Sequence, residues 1–329
     1  MIEILSASAL ATVQDLGRLG ALQWGVGTSG AMDPLALAAG NLLLGNDEGA
    51  AGIEIPVFPF QLRFAADGAF ALTGADCGAR LDDAALLPWW VGEARAGQVL
   101  SLGLPRAGVW RASRAYLCLP GGVDVPAVLG SRSTQLRGGF GGHEGRALRQ
   151  GDVLRAGAPV PSARTSGFGL LPPALALPLQ VDGLQAMRVL PAAEYTHYTE
   201  ASRTAFWAGE WKITAQSDRY GYRLAGTPLE AQTAVEMRSH GIVPGVIQVP
   251  PGGQPIVQMR DAQPSGGYPK FGTVIEADLW RLGQAAIGSR VRFIETTWDE
   301  ATAALAETQA WLTEAQRLVA LCQRQQARG

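Results

Sequence analysis

The stretch QPSGGYPKFGT, residues 263–273, carries one of only two lysines in 329 residues, Lys270; the other is Lys212. A lysine ammonium can neutralise a carboxylate, a carboxyphosphate or a phosphate on which charge develops during a reaction. Prolines 244, 250, 251, 255, 264 and 269 fall within the segment 238–273. Each fixes its own φ and drives the preceding residue extended, so the segment is stiff enough to hold an amine at a defined point. A solvated lysine leaving a turn is the plainer explanation, and the residue types alone leave both open. Gln248 and Tyr268 share the segment as candidate substrate contacts, and Arg219, in QSDRYGYRL, is a third.

Two further glycine-rich stretches concentrate polar side chains. TVQDLGRLGALQWGVGTSGAMD (12–33) presents Gln14, Asp15, Arg18, Ser29 and Asp33. Arg18 suits two-pronged contact with a carboxylate or phosphate, or a local ion pair with Asp15 that closes a turn. The helix expected to begin near Asp33 offers free N–H groups to an anion. LPGGVDVPAVLGSRSTQLRGGFGGHEGR (119–146) adds Asp124, Arg132, Ser133, Thr134 and Arg137. Glycines let backbone approach a ligand closely, and a loop this long inside a domain is usually functional or mobile. Candidate catalytic residues are therefore Lys270, Arg18 and Arg132. Gln14, Ser29, Asp33, Asp124, Thr134, Arg219, Gln248 and Tyr268 are candidate substrate contacts.

Other chemistries lack their residues. There is no GxxxxGK[ST] loop, no GxSxG elbow and no HExxH. His143, His197 and His240 are scattered, and no nucleophile–base–orienter set follows from spacing. Cys77, Cys118 and Cys322 show no CxxC spacing, so neither a disulfide framework nor a metal site is expected, and a reducing compartment is the natural reading. Cys77 and Cys118 lie in apolar strands as packing thiols.

The elements that must position these side chains are mostly short strands. FQLRFAADGAFALTG (60–74), GQVLSLG (97–103), RAYLCLPGG (114–122) and GDVLRAG (151–157) are apolar runs cut by glycine turns, a pattern of barrels or sandwiches. MDPLALAAGNLLLGN (32–46) reads as a helix capped by Asp33, with Pro34 in its first turn and Gly45-Asn46 at its stop. A second helix is expected from Thr297 to about Arg324, opened by a Thr297/Glu300 capping box. It packs on its own protein or docks on a partner subunit. The Pro-, Ser-, Gly- and Ala-rich run after residue 157 suggests a linker at 161–185. The expected organisation is an N-terminal β-barrel domain (1–160), this linker, a C-terminal β-barrel domain (186–296) and a C-terminal helix (297–329). TVQDLGRLG and TAQSDRYGY, and PGGVDVPAVLGS and SGGYPKFGTV, give the two halves a faint likeness.

A net charge of −2 lacks the basic footprint that nucleic acid requires. No apolar run reaches the length of a membrane span, and the N-terminus lacks the basic region of a signal peptide. The expected location is the cytoplasm.

TVQDLGR, SGAMDPLALAAGNLLLGN, LTGADCGA, GGVDVPAVLGSRSTQLRGGFGGHEGRALRQGD, QSDRYGYRL, GIVPGVIQVPPGGQPIV and SGGYPK run in order from residue 12 to about 293. Together they make the chain resemble the KipA-like, or allophanate-hydrolase-subunit-2-like, proteins. That family includes the carboxyltransferase A and B subdomains of urea carboxylase and the C subunit of the prokaryotic 5-oxoprolinase. The resemblance implies a mainly β protein with two cyclophilin-like β-barrel domains, few helices and a C-terminal helix. It implies a separate KipI-like partner and, in an oxoprolinase, a LamB/YcsF-like subunit, with ATP (and Mg) used to open 5-oxoproline to glutamate. A carboxyltransferase role on urea or another amide is one alternative, and non-catalytic antagonism of a histidine-kinase inhibitor is another. Lys212 follows Trp211 and Lys270 follows Pro269, so neither has the methionine flanks of a biotin attachment site. Two positions depart from the family pattern: His240 stands where an acidic or polar residue is expected, and Pro264-Ser265 replaces a common Thr-Thr pair.

Overall fold

The computed structural model describes residues 1–7, 10–106, 111–158, 167–233 and 237–326. The fold is mainly β with few helices and divides into two compact units, neither continuous in sequence. Met1–Arg18, Ser29–Ala176 and Gln309–Gly329 form the first; Leu19–Thr28 and Leu177–Thr308 form the second.

In the first unit a six-stranded and a five-stranded sheet enclose a shared apolar core. Phe60–Phe64 shows how local pattern builds it: Phe60, Leu62 and Phe64 point inward while Gln61 and Arg63 face water, the period of two that a half-buried strand requires. The five-stranded sheet is buried on both faces, which is why Ala115–Cys118 is apolar throughout. Leu117 and Leu72 join the core between the sheets, whereas Tyr116, Cys118 and Ala71 meet Leu37 and Leu43 of helix Pro34–Leu43. That helix begins as its sequence predicts: Asp33 Oδ1 accepts from Ala36 N at 2.9 Å, Pro34 follows, and Gly45 leaves the helix at φ 72°. The linker expected at 161–185 begins at residues that lie outside the described residues. Downstream of them Phe168 is buried with Trp89, and its carbonyl accepts from Val91 N, so this part of the run is core.

The second unit is a closed barrel. Leu184–Pro191, Lys270–Val274, Val246–Gln248, Ile256–Gln258, Gly221–Ala225, Trp211–Ile213 and Arg290–Glu295 pair in that order, and parallel pairing of Ala186–Val189 with Arg292–Glu295 joins last to first. Phe206, Trp211, Phe271 and Phe293 fill it with rings 4.3–5.5 Å apart. Helices Glu200–Ala208 and Glu276–Gln284, which the sequence did not announce, belong to this unit. The C-terminal helix Trp298–Gln326 opens with the expected capping box: Glu300 Oε2 accepts from Thr297 N at 2.9 Å, and Thr297 Oγ1 from Glu300 N at 3.3 Å. Its Ala304 packs with Ile275 and Ala277 of the second unit, and its Val319 joins the Trp89 cluster of the first.

Candidate functional site

The candidate residues gather into two clusters, one in each unit. In the first, strand Thr12–Gln14 pairs with Gly52–Ile55 and delivers Asp15 to the loop that begins at residue 119. Asp15 Oδ1 accepts from Gly17 N (2.8 Å), from Ser131 Oγ (2.7 Å) and from Ser133 Oγ, and Oδ2 accepts from Arg132 N. One buried carboxylate thus ties together residues more than 100 positions apart, each bond to it strengthened by its charge. Arg18 is 1% exposed; its Nε donates to Val128 O at 3.2 Å, its Nη2 to Ser133 O, and its guanidinium lies 4.9 Å from the centre of the Phe140 ring. Asp15 and Arg18, read from sequence as a possible local pair, therefore both reach into the same distant loop.

Glycines close the packing. A Cβ on Gly142 (φ 54°) would collide with Thr134 Oγ1, so the turn at 139–145 can lie on the 133–134 segment only without a side chain there. Thr134 Oγ1 donates to Val13 O at 2.9 Å, and Gln14 Nε2 to Thr134 O at 3.2 Å. In front of this layer lies a groove of about 480 Å³, lined among others by Asp124, Phe140, His143, Glu144 and Arg155. Arg132 is exposed, with its Nε donating to Val125 O at 3.0 Å. Asp152, next to the lining residue Val153, takes both prongs of Arg146 at 2.7 and 2.8 Å and lies 3.5 Å from His143 Nε2. Those bonds from Arg146 hold the Asp152 carboxyl down at about 2.

Ser29 and Asp33 sit apart from Asp15's bonds. Ser29 is buried at φ 51°, and neither its hydroxyl nor Gln14 Oε1 finds a hydrogen-bond partner among the described residues. Asp33 caps the helix, and its own N–H donates to Tyr116 Oη at 2.8 Å. Tyr116 in turn donates to Glu54 Oε2 at 2.8 Å, the atom that also accepts from Met32 N. Arg114 Nε lies 3.6 Å from Glu54 Oε1. Burial first, then the charges of Glu54 and Asp33, hold the Tyr116 phenol well above its ordinary value, so it stays a neutral donor. Glu54 and Tyr116 escaped the sequence reading; the available signal was an acid inside the apolar run GIEIP.

The second cluster surrounds Lys270. Its strand pairs with Val246–Gln248, and the register slips by one residue so that Gln248 faces Lys270 while Ile247 faces Gly272. Phe271 is the bulged residue, and a bulge of this kind re-aims neighbouring side chains. Lys270 Nζ lies 3.8 Å from Glu194 Oε1, with the lysine side chain 22% exposed. The lysine's N–H donates to Glu194 Oε2 at 3.1 Å. Gln248 is buried: its Oε1 accepts from Gln258 Nε2 at 3.1 Å, and its Nε2 donates to the carbonyl of Tyr268 at 3.3 Å. The Tyr268 side chain is exposed. Arg219 grips Asp261 with two bonds of 3.0 Å, both residues buried, and thereby fixes the turn before strand Gly221–Ala225. Glu194, Gln258 and Asp261 were not found from sequence, since each lies outside the glycine-rich motifs or carries no motif of its own.

The first cluster combines a groove with fixed backbone and an exposed arginine; the second holds an ammonium beside a carboxylate and an oriented amide. Both suit a small polar substrate on which negative charge develops. Among the described residues no group of three or more His, Cys, Asp or Glu side chains could hold a metal ion, and no helix is long and apolar enough to cross a membrane.

The carboxyltransferase domain family, subdomains A and B, matches residues 24–295, and the chain belongs to that family. It is 42% identical over 320 residues to the C subunit of 5-oxoprolinase from Escherichia coli (strain K12), covering 95% of this chain and 97% of that one. It is 41% identical over 319 residues to the C subunit of 5-oxoprolinase from Haemophilus influenzae, covering 97% and 99%. Among solved structures, the Kluyveromyces lactis urea carboxylase superposes with a TM-score of 0.85 at 28% identity over 95% of this chain, which spans 29% of that enzyme.

Proposed function

We propose that this chain is the C subunit of an ATP-dependent 5-oxoprolinase that opens 5-oxo-L-proline to L-glutamate in the cytoplasm. The observation that carries the reading is the near end-to-end likeness, in both directions, to two proteins of that name. The likeness to urea carboxylase is lower and covers one module of a much larger chain. The assembly also includes KipI-like and LamB/YcsF-like subunits, and no biotin is attached to this chain.

The chemistry explains why cations are wanted. Amide resonance, visible as a rotation barrier of about 18–20 kcal/mol, makes the lactam carbonyl a poor electrophile. ATP serves as co-substrate: its terminal phosphoryl group passes to the lactam oxygen, water adds to the activated carbon, and the ring C–N bond breaks with nitrogen leaving as the amine. Hydrolysis of the resulting acyl phosphate gives glutamate and phosphate. Negative charge then accumulates around the former carbonyl, and positive charge fixed nearby lowers the barrier. Lys270 supplies that charge in the barrel unit. Arg132 offers it from the exposed surface, bonded to the carbonyl of Val125 in the groove wall, and buried Arg18 holds that wall through Val128 O. Gln14, Ser29, Asp33, Asp124 and Thr134 are the residues assigned to substrate contact in the first unit, and Arg219, Gln248 and Tyr268 those in the second, each acting directly or through the loops that it anchors.

The test is purification with the two partner subunits and measurement of glutamate from 5-oxoproline and ATP. Lys270→Ala is expected to reduce the rate by about 100-fold or more, as loss of one charge-stabilising donor does, while the complex still co-purifies. Near-native turnover by Lys270→Ala returns this lysine to the role of a turn residue. The urea carboxylase likeness supports a second reading, carboxyl transfer to an amide nitrogen, whose signature is biotin-dependent carboxylation of urea. A complex with no activity of either kind favours the regulatory role of a kinase-inhibitor antagonist.

A further inference from the structure

We propose that Glu194 positions Lys270 for the reaction, one carboxylate holding both the backbone and the ammonium of the same residue. The inference rests on the role given to Lys270 above and adds the group that sets its orientation.

Glu194 lies just after strand Leu184–Pro191, at the N-cap position of the turn Tyr195–His197, where its side chain makes no capping bond. Its side chain is 11% exposed, and a carboxylate so far removed from water needs partners. Its two oxygens divide between one residue: Oε2 takes the Lys270 N–H at 3.1 Å, and Oε1 stands 3.8 Å from Nζ. The second distance is beyond hydrogen-bond length, so the carboxylate directs the ammonium by charge and leaves its three N–H donors available to a substrate.

The adjoining residues repeat the grip. Tyr195, next to Glu194, meets Phe271, next to Lys270, edge to face at 5.0 Å. Phe271 is also held by Tyr198 at 5.1 Å and Phe206 at 4.3 Å. Trp207 Nε1 donates to Tyr195 Oη at 2.8 Å and fixes that ring in turn. Two successive residues at the turn therefore clamp two successive residues on the strand, at the register shift that pairs Lys270 with Gln248. Such redundancy holds a charged group where transition-state stabilisation tolerates little misplacement.

Glu194→Gln separates positioning by charge from structure, because glutamine keeps an oxygen for the Lys270 N–H and loses the charge facing Nζ. The reconstituted complex carrying Glu194→Gln is expected to keep its melting temperature and assembly, to lose about 10- to 100-fold in kcat, and to hold its KM for 5-oxoproline within about twofold, the pattern of an interaction made only in the transition state. Glu194→Asp, which restores the charge, is expected to recover part of the rate. A kcat for Glu194→Gln within twofold of native, or a KM that rises in parallel, overturns the inference. Glu194→Ala in the free chain adds a readout that needs no turnover: the Lys270 amide exchanges faster with solvent when its acceptor is removed. Unchanged exchange overturns the inference even if the native complex proves inactive on 5-oxoproline. Absence of glutamate from the native complex counts against the oxoprolinase reading alone.

Discussion

At the scale of single residues, carboxylates organise both clusters, Asp15 and Glu194 by reaching remote parts of the chain and Asp152 by gathering its neighbours in sequence. Asp15 collects four donors from residues 17 and 131–133, and Asp152 collects Arg146, Arg149 N–H and the nearby His143. Asp152 makes the energetics testable. Its carboxyl is held down at about 2, chiefly by Arg146, against about 3.9 for an aspartate in an unfolded chain. A depressed folded value means that the stabilisation is complete above about pH 4 and is lost as the pH falls toward 2. Arg146→Gln removes most of it, so the midpoint of acid unfolding, followed by near-ultraviolet circular dichroism, is expected to move to higher pH. An unchanged midpoint contradicts the assignment. None of these partnerships was legible in the sequence. Gln14, Arg18 and Thr134 were visible as polar residues in glycine-rich loops, but nothing in residue type reveals that Asp15 and Ser133 meet across 118 positions. Glu194 was hidden as deeply, because Lys270, whose N–H and ammonium it faces, lies 76 positions away.

At the scale of elements, legibility followed periodicity and capping. Helix Pro34–Leu43 and the start of Trp298–Gln326 announced themselves through Asp33, Pro34, Thr297 and Glu300, and the alternation of Phe60–Phe64 marked a strand. Helix Glu276–Gln284 did not. Its charged residues suggest a solvated face, yet Asp278 is fully buried, gripped by Arg188 at 2.8 and 2.9 Å and by Arg281 at 3.1 Å, so an ion-pair network lies within the buried part of this helix. Close approach between elements gives a second test. In a helix interior Gly→Ala ordinarily gains about 1 kcal/mol. A Cβ on Gly40, however, would stand 2.7 Å from Cys118 Sγ and 3.3 Å from Thr73 Oγ1. Overpacking of that kind costs about 1–3 kcal/mol, so Gly40→Ala is expected to lower the urea midpoint, and Cys118→Ala in the same chain to restore part of it. A stabilised Gly40→Ala contradicts the packing described.

At the scale of the whole molecule, the sequence's strand-and-glycine pattern was enough to indicate a mainly β protein, and its ordered motifs pointed to the family to which the chain belongs. The discontinuous composition of the two units was not readable, because it depends on where Leu19–Thr28 and the end of the C-terminal helix pack rather than on any local signal. The substrate also lies beyond what the fold decides, since urea carboxylase shares the architecture. What separates the two chemistries is a product. The decisive measurement is glutamate formed from 5-oxoproline by this chain together with the proposed KipI-like and LamB/YcsF-like subunits. Formation that requires ATP and all three chains, and that fails with Lys270→Ala, is the result expected here. Biotin-dependent carboxylation of urea, with no glutamate formed, would contradict it.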